Sequence, residues 1–403
     1  MKRKDSKAAQ QENHHIQNIS PESTAMSNGC SVLLTGSTGA IGSMHLLELL
    51  SRGYQVACLV RAQNKDAAYG RLAQIVGEEA AGRVKIVVGD ITEELGGVSG
   101  DAVSELKGNT STLVHHAGSV RFDEKYADEI IDANAGGTAN MLALAEAIDV
   151  RRFCYSGTAY SIGHSRNAYE ASKKTAAQLV RKWQGGEWMV WHPSIVVGHS
   201  KTGFTNGFTG YYGFFGGFFS LKQKLRKAWE NDSHDSCLKK GFFFREDVLI
   251  LDTPLYVSYS LHSTLNLVPV DWLVKAMTDV MGRGEWLHDH FFTHPKPPFL
   301  AWILETSFDI LGIEGVEQAS GEASAASNAY IDGIQQRLNH KIDRFAPYIH
   351  EEAHFDCDVL DEHPPPIDEA FLRTMLDYAR QCRFGKTKPR NDLAPLDKKP
   401  RTR

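Results

Sequence analysis

The sequence predicts an α/β fold built on a doubly wound parallel sheet, with a smaller C-terminal lobe. Three observations carry that expectation. The apolar run SVLLT at 31–35 ends in a glycine loop that opens a helix. Short apolar strands then alternate with helical periodicity to about residue 191, the pattern of β-α-β units with parallel strands. After about Lys201 this regularity gives way to glycine-aromatic and mixed segments, where the second lobe is expected.

After the first strand, Ile41, Met44, Leu46, Leu47, Leu49 and Leu50 recur at helical spacing up to Arg52. Further strands are expected at 54–60, 84–88, 112–115, 152–156 and 189–191, separated by helical stretches such as 134–148 and 171–183. The most apolar stretch, 204–219, is interrupted by Gly207, Gly210, Gly213, Gly216 and Gly217. It is therefore expected as an aromatic loop on the second lobe and not as a membrane span. LNLVPVDWLVKAMTDVM, from Leu265, is expected to return to the first lobe as a loop and helix, and FFTHPKPP, from Phe291, as a strand stopped by prolines. The expected boundaries are a disordered leader at 1–29, a first lobe at 30–200 to which 265–298 returns, and a second lobe at 201–264 and 299–385. An Ala/Ser-rich surface loop at 320–329 and a basic tail at 386–403 complete the chain.

With 403 residues the chain is long enough for two lobes, since single cores stop growing near about 250–300 residues. A net charge of −5 lacks the basic excess that would nominate nucleic acid or an anionic membrane, so neither partner is expected. Cysteines 30, 58, 154, 237, 357 and 382 are scattered without C-x-x-C spacing, which points away from a disulfide framework and toward a cytoplasmic setting. The polar leader lacks the apolar core of a signal peptide.

TGSTGAIG, residues Thr35, Gly36, Ser37, Thr38, Gly39, Ala40, Ile41 and Gly42, is a G-x-x-G-x-x-G loop between a strand and a helix. The first glycine permits the turn, the second lets the backbone approach a pyrophosphate, and the third lets helix and strand pack closely. The helix N-terminus offers free N–H groups to the anion. A nicotinamide dinucleotide is the cofactor this predicts. At the end of the second strand stands Arg61, where an NAD enzyme usually carries an acid; a guanidinium there favours the 2′-phosphate of NADPH, with Arg71 as a second contact. Asp90 and Ile91, after the third strand, are placed to hold the adenine. His115 and His116 adjoin the cofactor cleft as wall residues.

Tyr169 and Lys173, in YEASK, share one face of a helix at i and i+4. A phenol of ordinary pKa is a poor acid-base group at neutral pH, and a neighbouring ammonium is expected to favour the phenolate. Lys173 is expected also to hold the nicotinamide ribose. Thr158, in YSGTAYS, supplies a hydroxyl for the substrate oxygen. Cys154 reads as a core residue. His288 and His290 can share a strand face, but with no third ligand evident no metal is expected.

In this order, TGSTGAIG, LVRA, HHAGSVRFDEKY, NAGGT, GTAYS, YEASKK, HPSIVVGHSKTG and LNLVPVDW resemble the thioester reductase-like and fatty acyl reductase branch of the extended short-chain dehydrogenases/reductases, the male-sterility type of NAD-binding domain, over residues 31–385. The resemblance implies a Rossmann domain and hydride delivery from NADPH to an acyl thioester on a carrier protein or coenzyme A, giving an aldehyde and, with a second hydride, an alcohol. By position it implies Thr158, Tyr169 and Lys173 as the catalytic set. Ala117, Gly118, Asn134, Pro193, Ser194, Ile195 and Val196 join the glycine loop, Arg61, Asp90 and His116 around the cofactor. The sequence departs from the branch at Gly157, where a serine usually precedes the threonine, at His192, where an arginine usually stands, and in having only ten residues between Thr158 and Tyr169. Two other functions use the same residues: a ketone or secondary-alcohol dehydrogenase, and a non-catalytic NADP-binding protein. Arg61→Ala is expected to weaken NADPH binding much more than NADH binding in a fluorescence titration; equal losses would assign Arg61 a structural role.

Overall fold

The computed structural model describes residues 31–319, 328–350, 354–358, 360 and 362–387. The expected leader, Cys30, most of the Ala/Ser-rich loop and nearly all of the basic tail lie outside the described residues; Ala329 itself opens a helix. In chain order the strands are β1 (Ser31–Thr35), β2 (Gln55–Val60), β3 (Lys85–Val88), β4 (Thr112–His115), β5 (Arg152–Ser156), β6 (Glu187–Pro193), β7 (Ile195–Val197), β8 (Phe242–Arg245), β9 (Val248–Val257), β10 (Leu267–Pro269), β11 (His288–Phe292) and β12 (Ile313–Gln318).

Seven of them form one parallel sheet in the order β11-β6-β5-β4-β1-β2-β3. Burial on both faces accounts for the near-continuous apolar runs: five of the six residues of β2 are buried. One face packs on helices Ala40–Ser51, Lys65–Val76 and Val270–Arg283, and the other on Gly137–Ala147 and Ala168–Lys182. β1 lies between β2 and β4, so the chain reverses its winding there. The loops after β1 and β4 consequently diverge to leave a crevice at their carboxyl ends, where ligands bind in open α/β sheets.

From Leu265 on, β10 pairs with β7 in a separate two-stranded sheet, helix Val270–Arg283 lies beside helix Ala40–Ser51, with His45 Nε2 3.1 Å from Thr278 Oγ1, and β11 pairs with β6 at the edge of the main sheet. β6 is longer than the expected 189–191 and β11 begins before Phe291, because each is held along its length by parallel pairing with a neighbour.

Two expectations for the second lobe need correction. Its irregular-looking sequence contains a three-stranded sheet, β12-β9-β8, with β8 and β9 antiparallel and β12 parallel to β9. The aromatic stretch is a helix from Tyr211 onward, Tyr211–Asn231, and not a loop. Glycines in a helix each cost about 1 kcal/mol relative to alanine, but buried aromatic rings contribute more. Tyr211, Tyr212, Phe214, Phe215 and Phe218 face one core with Phe242, Leu255, Ile303 and Phe371. Gly216 serves the packing, since a Cβ there would stand 3.2 Å from the Phe384 Cβ. Phe218→Ala, removing a fully buried ring, is expected to lower unfolding stability by about 3–5 kcal/mol. Urea denaturation checks this, and a loss within error would detach that ring from the core.

Candidate active site

At the reversal of winding, backbone approaches backbone. Gly36 has φ +73°, and a Cβ on it would lie 2.6 Å from the amide nitrogen of Ala117, in the loop after β4. A Cβ on Gly42 would lie 2.2 Å from the Gly36 carbonyl oxygen. Any side chain would close this cradle. Helix Ala40–Ser51 starts at Gly39 with no side-chain cap, leaving its first N–H groups free for an anion. Thr35 Oγ1 accepts from the Ala117 amide at 3.2 Å and meets His115 Nδ1 at 2.7 Å, joining the two loops. Close by, Ser194 Oγ and Asn206 Oδ1 are buried without a hydrogen-bond partner among the described residues. A backbone cradle lined with unsatisfied polar atoms fits a dinucleotide's pyrophosphate and ribose groups.

The second half of the site is helix Ala168–Lys182. Asn167 caps it, its side chain accepting from the Glu170 amide at 2.9 Å, so Tyr169 sits in the first turn and Lys173 one turn further on. Glu170 is fully buried. Its carboxylate accepts from the Arg166 guanidinium at 2.6 Å and the Arg166 amide at 2.9 Å, and Arg166 also donates to the Pro347 carbonyl at 2.7 Å. This pair ties the N-terminus of the helix to the second lobe. The Tyr169 ring packs edge-on against Phe122 at 5.3 Å.

A cavity of about 380 Å³ runs from Gly36 and Gly42 past Thr158 and Tyr169 into a chamber walled by Tyr211, Phe214, Phe215, Leu300, Ile303, Phe345 and Tyr348. It joins the phosphate cradle to an apolar compartment, with two hydroxyls at the junction.

The profile of the male sterility protein family, an NAD-binding domain family, matches residues 34–168 and 158–277. The chain belongs to this family. The family lies within the extended short-chain dehydrogenases/reductases, a class of nicotinamide-nucleotide-dependent oxidoreductases. This male-sterility domain is 29% identical over 138 residues to L-2-aminoadipate reductase of Saccharomyces cerevisiae, a match covering 32% of the chain and 10% of that protein. It is 26% identical over 207 residues to the NRPS-like oxidoreductase fscA of Fusarium equiseti, covering 46% of the chain and 20% of that protein. The matches thus span a fifth or less of these two curated relatives. Its fold is similar to that of the terminal R domain from the myxalamid PKS-NRPS biosynthetic pathway, with a TM-score of 0.68 and 20% identity, covering 90% of the chain and 93% of that domain.

Of the residues singled out in the sequence of this family member, Gly36, Gly39, Ala40, Ile41, Gly42, His116, Gly118, Thr158, Tyr169, Pro193, Ser194, Ile195 and Val196 line the cavity. Thr35, Ser37, Thr38 and Ala117 shape the loops behind it. Arg61 and Arg71 stand together at the end of β2, Arg71 Nη1 donating to the Arg61 carbonyl at 2.8 Å. Asp90 is engaged in its own turn, accepting from the Thr92 amide and hydroxyl at 3.1 and 3.0 Å, with Arg61 3.6 Å away. Ile91 packs against Gly137, and its carbonyl accepts from Asn140 at 2.9 Å.

Asn134 differs from its expected part as a direct cofactor contact. It is buried in a π-turn at Asp132–Gly136; its Oδ1 accepts from the Ser119 amide at 2.8 Å and its Nδ2 donates to Ser119 O and Ser172 Oγ at 3.1 and 2.9 Å. Its donors are fully used in holding the loop after β4 against the Tyr169 helix.

Burial shifts Tyr169 and Lys173 in opposite directions. Burial among protein groups pushes the phenol up to about 12, against a hydrogen bond with Thr158 that pulls it down. Lys173 Nζ donates to the Ser156 carbonyl at 2.8 Å, and burial lowers it to about 8. Both shifts favour the neutral form of each group. His116 is a neutral wall. Its Nδ1 meets Ser156 Oγ at 2.6 Å and its Nε2 meets His45 Nδ1 at 2.7 Å, and burial carries both rings well below the usual imidazole range.

Sequence reasoning missed the support behind Thr158. The backbone carbonyl of Thr158 accepts from His192 Nδ1 at 3.2 Å, while His192 Nε2 lies 2.7 Å from Asp289 Oδ1. Arg181 clamps the same carboxylate, its Nε reaching Oδ2 at 3.0 Å. Partial burial of Asp289 acts to raise its pKa, yet hydrogen bonds from His192 and Arg181 hold it well below the usual carboxylate range. Two departures from the family pattern meet here, since a Cβ on Gly157 would stand 3.4 Å from His192 Nδ1 and 3.2 Å from the Trp191 carbonyl. Glycine at 157 leaves room for the Trp191 carbonyl, which accepts from the Gly157 amide at 2.8 Å. Asp289→Asn is expected to lower kcat roughly ten- to a hundredfold by loosening Thr158, with nucleotide affinity nearly unchanged. Steady-state kinetics with a binding titration check this, and a loss confined to KM would remove the positioning role.

Proposed function

We propose that the chain is an NADPH-dependent reductase of acyl thioesters, carried on a carrier protein or coenzyme A, with an aldehyde as product. The observation that carries the reading is the continuity of the cavity: the phosphate cradle, the Thr158 and Tyr169 hydroxyls and an apolar chamber lie along one path. An aliphatic or aromatic acyl group matches such walls, because burying apolar surface is favourable by about 25 cal/mol per Å². That relatives carry the names L-2-aminoadipate reductase and NRPS-like oxidoreductase supports the same reading.

The nicotinamide nucleotide, held by the glycine loop, Ser194 and Lys173, supplies a hydride when bound. Thr158 and Tyr169 orient the carbonyl oxygen by hydrogen bonding, and the protonated Tyr169 phenol donates a proton to that oxygen as negative charge develops. Expulsion of the thiol from the resulting hemithioacetal leaves the aldehyde. Lys173 holds its place through Ser156 and is set to contact the ribose. The apolar chamber excludes water from the reacting carbon. Selection of the phosphorylated nucleotide rests on Arg61 and Arg71, since the Arg61 side chain is 71% exposed and its contact with Asp90 is long. Solvation screens that pair and leaves the guanidinium available to a phosphate.

Purified chain incubated with NADPH and acyl-coenzyme A, pantetheine thioesters, aldehydes or ketones tests the proposal. Thioester consumption with release of free thiol and aldehyde is the expected result, and turnover of ketones alone would overturn it. Tyr169→Phe is expected to reduce thioester turnover by about two to four orders of magnitude while NADPH still binds; an unchanged rate would take the proton-donor role from Tyr169.

A further inference from the structure

β11 runs along the edge of the main sheet, and its side chains alternate between two faces. Asp289 points to the His192 side, whereas His288 and His290 share the other face with their rings 4.7 Å apart. A third group, which the local sequence does not announce, reaches that face from residues 354–358. The Asp358 Oδ2 atom lies 2.9 Å from His290 Nδ1. One ligand atom each from His288, His290 and Asp358 fall within 4.8 Å of one another.

The surroundings of His290 explain why this cluster differs from a chance surface grouping. The ring is fully buried, and its Nε2 faces the Glu285 backbone carbonyl at 3.2 Å while its Nδ1 faces a carboxylate. Both neighbours are acceptors only, and a neutral imidazole has one N–H to give. With Nε2–H donated to Glu285, the Nδ1 lone pair faces the Asp358 oxygen, an opposition that a shared proton or a metal ion bound by both groups resolves. Metal-binding histidines are oriented in this way, by donating the second ring nitrogen to a carbonyl. Ligand atoms around a tetrahedral zinc ion are roughly 3.3 Å apart, from bond lengths of about 2.0–2.1 Å. Reaching that spacing needs a contraction of up to about 1.5 Å, which the exposed His288 can supply by rotation. A fourth position falls to water or to Glu285, whose Oε2 is 3.9 Å from His290 Nδ1. Two imidazoles with one carboxylate suit a zinc-type divalent cation over calcium or magnesium, which take all-oxygen shells.

We propose that His288, His290 and Asp358 bind a zinc-type divalent cation that clips residues 354–358 onto the edge strand β11. The clip has a consequence for the cavity. The Asp358 amide donates to the Phe291 carbonyl at 3.1 Å, and the Thr293 hydroxyl to the Asp356 carbonyl at 2.8 Å, so the segment already lies along the strand. Phe355, within it, packs edge-on against the cavity-lining Tyr160 at 4.7 Å. A cation joining positions 68 residues apart in the chain stabilises this wall by closing a long loop.

The test uses the full chain, freed of any histidine tag and treated with chelator, then titrated with zinc chloride. Bound metal is followed by equilibrium dialysis and stability by thermal unfolding. The expected result is one tightly bound zinc ion per chain, a melting temperature that rises with zinc concentration, and visible d–d bands of a tetrahedral centre when cobalt(II) replaces zinc. His288→Ala and Asp358→Asn are each expected to weaken zinc affinity at least about tenfold while keeping the melting temperature of the metal-free wild type, which separates ligand loss from misfolding. Zinc binding that is equal in wild type and both variants, or no stoichiometric zinc on the wild type, would overturn the proposal. None of these readouts needs turnover, so they stand apart from the assay for thioester reduction.

Discussion

The site depends on one close approach of backbone to backbone. Where β1 and β4 end, Gly36 lies against the Ala117 amide and Gly42 against the Gly36 carbonyl, at distances no side chain could share. This contact brings the helix N-terminus after β1 beside the loop after β4, so that free N–H groups and the cavity wall meet at one point. It requires the reversal of winding at β1, because only there do consecutive loops part on the same edge of the sheet.

From that point the candidate chemistry is held by two separate supports. The Tyr169 helix is fixed at its start by the Asn167 cap and the buried Arg166–Glu170 pair, and along its side by Asn134 through Ser172. Thr158 is fixed from below by His192, which Asp289 and Arg181 hold in turn. A charged chain of this kind is stable in a partly buried setting because every carboxylate oxygen has a donor. Gly157 and His192 each look like the loss of a family residue when read alone. In the fold they are neighbours, at the ends of the adjacent strands β5 and β6.

The second lobe supplies shape more than polar contacts. The helix Tyr211–Asn231 turns its aromatic rings inward, and the helices Leu300–Leu311 and Ala346–His350 complete the chamber around the same space. Glycines within the aromatic helix lower its intrinsic propensity, yet they allow Phe345 and Phe384 to come close. Packing therefore overrides a local preference that points away from helix. Among the described residues no helix is long and apolar enough to cross a membrane.

The sequence by itself determined what depends on neighbours within a few turns of chain. The strand, glycine loop and helix at 31–51 and the shared face of Tyr169 and Lys173 are set by spacing and by steric rules that act locally. Alternation of strands and helices was enough to identify the parallel sheet. The aromatic segment was not legible, because glycine spacing hid a helix that only its partners stabilise. Nor were the His192–Asp289 contact, across 97 residues, or the meeting of His290 with Asp358, across 68. Tertiary structure alone decided these, since the order of β5, β6 and β11 in the sheet sets which distant side chains become neighbours.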